Sequence, residues 1–110
     1  MVHKPSLDAM ARQLGERAAR ASSGRAAETV YGGHEKRLRQ TVVAMTAGTE
    51  MGEHESPGDA TLLVINGRLR LTAGDVSWDG RQGDLLIVPD ERHGVQAVTD
   101  TAFLLTVAKH

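Results

Sequence analysis

The 110-residue sequence contains no cysteine. That excludes disulfides and thiolate metal sites, and it is compatible with a reducing compartment. Aromatic side chains are scarce, with one Trp, one Tyr and one Phe, so recognition of a ligand by ring stacking is not expected. A long apolar run is missing, and the first 26 residues alternate alanines with arginines and acids in place of a charged-then-apolar leader. The expectation is a soluble, unexported, cytoplasmic protein with no membrane partner. Neither sign of charge dominates: 13 Lys and Arg stand against 14 Asp and Glu, for a net charge of -1. The whole chain therefore gives no electrostatic reason to expect nucleic acid as a partner. Internal repeats, a nucleophile elbow around any serine and a phosphate-binding loop are also missing; Gly67-Arg68-Leu69-Arg70 is too short for the last.

What is present organises into a short helical segment over residues 1–26 and a β domain over residues 27–110. One domain fits the length, and a chain of this size buries about two-thirds of its unfolded surface without staples. Ser6 can cap a helix, and Asp8 suits the positive end of its dipole. Leu7, Met10, Leu14, Ala18 and Ala21 then recur at helical spacing up to the Ser22-Ser23-Gly24 stop. This stripe has few large side chains, so the helix is expected to flank a sheet or a second subunit. Short apolar or β-branched runs follow at 27–31, 38–47, 61–65, 68–72, 76–78, 85–88, 93–98 and 103–108. They are punctuated by Gly32-Gly33, Pro57-Gly58-Asp59, Asn66-Gly67, Gly74-Asp75, Asp79-Gly80 and Gly83-Asp84. Asn66-Gly67 is the strongest hairpin signal among them. Such dense short strands predict an all-β, antiparallel sandwich or jelly roll with one N-terminal helix. Thr61–Ile65 and Leu85–Val88 carry apolar residues on both strand faces, and one face fills a barrel while the other needs a cover. A homodimer is the expected consequence.

Two clusters carry the chemistry. In the first, Gly48, His54, Ser56, Ala60 and Gly67 fall where the cupin signature has glycine, two histidines two residues apart, a glutamate and a closing glycine. In the second, Gly83, Pro89 and His93 match the signature's glycine, proline and histidine, with Glu91 near its second glycine and Ala97 at its asparagine. The chain thus resembles small, single-domain bacterial cupins of the RmlC-like superfamily, of the conserved-barrel type. The resemblance implies a jelly-roll cupin barrel with His54 and His93 inside it, facing each other from separate strands. It also implies a divalent metal, zinc, nickel, manganese or iron, in a family whose usual ligand set is incomplete here. Ser56 is a poor ligand, and Ala60 removes the carboxylate that would balance the metal's charge. By strand parity Glu50 faces the same way as His54 and could replace the missing ligand, unless a bulge intervenes.

Three readings stay open at this stage. One is a pocket lined by His54, Ser56 and His93 that binds a small, partly apolar organic ligand. Another is a metal-dependent enzyme of the dioxygenase or isomerase type, using His54, His93 and a third ligand such as Glu50. The last is a regulatory or interaction module whose basic N-terminal part meets another protein. Catalytic residues cannot be assigned from the sequence.

Overall fold

A computed structural model describes residues 4–55 and 58–109. Ser6 begins helix α1 (Leu7–Arg20) by accepting a hydrogen bond from the Ala9 amide at 3.2 Å. Asp8 lies in the first turn and Arg17 and Arg20 in the last, each matching the sign of the helix dipole. Among the described residues nine strands follow: β1 (Arg25–Tyr31), β2 (Leu38–Met45), β3 (Glu50–His54), β4 (Gly58–Asn66), β5 (Arg68–Ala73), β6 (Val76–Arg81), β7 (Leu85–Ile87), β8 (His93–Ala97) and β9 (Thr101–Lys109).

The strands form two sheets, ordered β1-β2-β9-β4-β7 and β3-β8-β5-β6, and every pairing between them is antiparallel. Alternation along β4 and β5 explains how the sheets face each other. Ala60, Leu62 and Val64 on β4 and Leu69, Leu71 and Ala73 on β5 are buried. Inward residues of both sheets, among them Met45, Leu62, Val64, Leu69, Leu71, Val95 and Phe103, make one inter-sheet core. Full burial of each such side chain contributes about 2 kcal/mol.

Helix α1 lies on the outside of the larger sheet. Ala11, Leu14 and Ala18 form a second cluster with Val42, Ala44 and Ala102, and Leu7, Met10 and Leu104 pack at its margin. The alanines let the helix approach closely, so Leu14 alone supplies a large, fully buried side chain from this element. The flanking position expected for the helix is the one it occupies. It does not extend over β7, where Leu85 and Ile87 remain 58% and 70% exposed.

The Asn66-Gly67 step is a correction to the sequence reading. It joins β4, in the larger sheet, to β5, in the smaller, and these two strands do not pair. It is a corner between sheets. Gly67 is required there because its φ is +77° and a Cβ would collide with the Asp100 carbonyl oxygen. The tight hairpin is instead at Gly74-Asp75, where Ala73 and Val76 are paired across the turn. Asp79-Gly80 does not end a strand either: Gly80 is a buried residue of β6, opposite Leu69 and against Leu86 and Val64. Among the described residues no helix is long and apolar enough to cross a membrane.

Candidate functional site

The smaller sheet brings the two motif histidines together. His54 at the end of β3 is the cross-strand partner of His93 at the start of β8. Their ring centroids are 4.6 Å apart, with the planes inclined at 60°. His93 is 5% exposed, whereas His54 is exposed, so one imidazole forms the floor and the other the mouth.

Backbone carbonyls fix the chemistry of both rings. His54 Nδ1 lies 3.0 Å from the Gly52 carbonyl oxygen, and His93 Nδ1 lies 2.9 Å from that of Glu91. A carbonyl only accepts, so each neutral imidazole carries its proton on Nδ1 and leaves a lone pair on Nε2. This is the tautomer in which histidine binds an electrophile through Nε2, and the carbonyl holds the ring in orientation.

Both histidines line a cavity of about 20 Å³ at the interior. Its other walls are Met51, Leu62, Leu71, Val88, Val95, Phe103 and Leu105. That volume admits one water or one ion. A site for an ordinary organic ligand occupies about 300 Å³ or more. Larger clefts lie elsewhere, and no histidine is among their described lining residues. One of about 450 Å³ runs beside β6 and β7 past Trp78, Asp79, Asp84, Leu85 and Ile87. Another of about 300 Å³ opens near Asp59, Thr61, Asp90 and Thr106.

Glu50 is not brought to the pair. Met51 pairs with Val95 and His54 with His93, so β3 holds one residue more than β8 between these pairs. This bulge reverses the parity: Met51 points inward beside His54, and exposed Glu50 pairs with Gln96 away from the cavity. Ser56 lies outside the described residues. Ala60 is buried on the inward face of β4 but does not line the histidine cavity. His34 is exposed, and its carbonyl accepts a hydrogen bond from Lys109 Nζ at 3.4 Å.

Sequence reasoning missed two neighbours. Met51 was hidden by the bulge, which no residue type announces. Arg92 follows from its adjacency to His93: it donates to the Glu53 carbonyl at 3.2 Å and lies 3.8 Å from the Glu53 carboxylate and 4.0 Å from that of Glu55. These exposed contacts tie β8 to β3 beside the mouth, each with a small effect on stability.

Among the described residues, no group of three or more His, Cys, Asp or Glu converges in a way that could hold a metal ion. The described residues therefore do not fit the divalent centre of several histidines and a carboxylate that the motif resemblance implied. They offer two imidazoles and no compensating negative charge.

A two-sheet antiparallel barrel with a motif histidine on each of two adjoining strands is a cupin barrel. Comparison with solved structures agrees. A conserved protein of unknown function from Streptococcus pyogenes superposes with a TM-score of 0.73 at 26% identity, over 82% of this chain and 78% of that one. An RmlC-like cupin from Desulfovibrio desulfuricans gives 0.67 at 27% identity, over 76% of this chain and 81% of that one. A mutant of salicylate 1,2-dioxygenase from Pseudoaminobacter salicylatoxidans gives 0.77 at 19% identity; the match covers 94% of this chain but 34% of the dioxygenase. No sequence-family model matches the chain, and comparison with curated proteins finds no significant match. On fold and structural likeness the chain belongs to the RmlC-like cupin superfamily.

Proposed function

We propose that this protein is a binding cupin whose inner histidines hold an atom-sized, electron-accepting guest. The observation that carries the reading is the pair of Nδ1 contacts to carbonyls, which leaves both Nε2 lone pairs without a partner among the described residues. A guest that answers two lone pairs in so small a space is a transition-metal ion or a bridging hydrogen-bond donor. The 20 Å³ interior supports this over a buried organic molecule. An organic ligand would have to lie across the mouth at His54 and send a single polar group inward. An enzyme of the dioxygenase or isomerase type needs about three protein ligands around its metal, and the described residues offer no third His, Asp or Glu to the pair.

With only two imidazoles, zinc, nickel, manganese and iron(II) should bind weakly and need waters to complete their shells. Calorimetric titration of these ions into untagged protein and into His54→Ala and His93→Ala variants tests the reading. Weak binding lost in both variants is expected. Unchanged heats in both variants would remove the pair from the site.

A further inference from the structure

The misfit between this cavity and a divalent centre has a positive counterpart. We propose that Met51, His54 and His93 form an uncharged site of two nitrogens and one sulfur for a single copper(I) ion. This rests on the reading that the histidine pair binds a guest, and it names the guest.

The donor set is the first argument. Met51 is partly buried against the inter-sheet core and lines the same cavity as both histidines. It is there because of the β3 bulge; simple alternation with His54 would have put Gly52 on that face. A thioether is a soft donor that selects copper(I), and imidazole suits copper in either oxidation state. Hard ions such as magnesium, calcium and manganese prefer oxygen ligands, and none of the nine lining residues carries a side-chain oxygen.

Charge is the second argument. Two neutral imidazoles and a thioether contribute no negative charge, and the remaining walls are aliphatic or aromatic. The cost of transferring an ion from water into such surroundings grows with the square of its charge, so an uncompensated divalent ion is penalised far more than a monovalent one. Coordination number is the third. Copper(I) is satisfied by two or three ligands in linear or trigonal arrangement, whereas zinc completes a tetrahedron. The cavity admits one ion without a full hydration shell. Carbonyl contacts at both Nδ1 atoms fix the rings, so little ordering of the imidazoles remains to be done on binding.

The test is a competition assay with the full chain, untagged and anaerobic, in which the protein withdraws copper(I) from a chromophoric chelator. Silver(I), which does not change oxidation state, serves as the probe for NMR. The variants are Met51→Leu, which conserves volume and keeps the fold, and His93→Ala. The expected result is one copper(I) per chain, lost in His93→Ala and weakened about tenfold or more in Met51→Leu. Silver(I) should shift the Met51 methyl resonance, and zinc affinity should be the same in Met51→Leu as in the parent. Undiminished copper(I) binding in Met51→Leu would overturn the proposal, as would a parent protein that binds zinc at the histidine pair but withdraws no copper(I). In the second case the histidine pair keeps its binding role and only the identity of the guest fails. If no ion perturbs either histidine, the pair is not a metal site and both readings fall together. Undiminished binding in His93→Ala would count against the proposed site.

Discussion

Replacing Gly67 by alanine measures how firmly the two sheets are held at their corner. Two costs combine. A residue with a Cβ at φ +77° loses about 1 kcal/mol relative to glycine. The new methyl would also collide with the Asp100 carbonyl oxygen and crowd the Thr101 Cα, which are backbone atoms that cannot swing away as a side chain would. Moving them disturbs the hydrogen bond from Thr101 Oγ1 to the Asn66 carbonyl (2.7 Å) and the one from the Ala47 amide to Asp100 Oδ1 (2.8 Å). At about 1 kcal/mol each, the expected total is about 3 kcal/mol. Gly74→Ala is the control. Its φ is +58°, yet a Cβ there meets nothing within 4 Å. It should lose only about 1 kcal/mol. Urea denaturation separates the two, and melting temperatures should fall by roughly 12 °C and 4 °C respectively. Equal losses in the two variants would refute the argument, because the collision would then contribute nothing.

Other expectations follow from the packing. Leu14→Ala removes the large side chain of α1 that is buried on the sheet and should cost about 3 kcal/mol in urea denaturation; a loss below about 1 kcal/mol would mean that the helix docks through its alanines. We expect a homodimer formed through the uncovered face around Leu85 and Ile87. Light scattering should report twice the 11.8 kDa chain mass, and Ile87→Glu should halve it; a parent particle of single-chain mass would end the idea. Arg70→Ala breaks the half-exposed ion pair with Asp79 (3.0 Å) on the outer face of the smaller sheet. It should cost less than about 1 kcal/mol and diminish further in high salt.

The sequence made strand positions legible because β-branched and apolar runs are local signals, and punctuation by glycine and proline bounded most of them within a few residues. It also singled out His54 and His93, which the structure pairs across β3 and β8, since their spacing within two separate motifs survives the loss of neighbouring ligand positions. Strand partners were not legible. Asn66-Gly67 has hairpin chemistry, but the inward face of β4 and its pairing with β7 and β9 send the next strand into the other sheet. A turn signal specifies backbone dihedrals and leaves open which strands will hydrogen-bond. The same limit hid Met51. One extra residue in β3 exchanges Glu50 for Met51 at the cavity, and a bulge depends on the partner strand as much as on its own residues. Gly80 resembled a turn residue for want of any view of Leu86 and Val64 above it.

The place of β9 between β2 and β4 also bears on how the chain reaches its fold. Neither neighbour in the larger sheet can complete its ladder until residues 101–109 dock between them. Gln40 and Thr106, hydrogen-bonded across that seam, are 66 positions apart in sequence. Such pairings require long loops to close before any contact stabilises them, which slows the rate-limiting step relative to a helical chain of equal length. Until then, β2 and β4 present unsatisfied edges and apolar faces, so the interval before β9 docks is when self-association competes with folding.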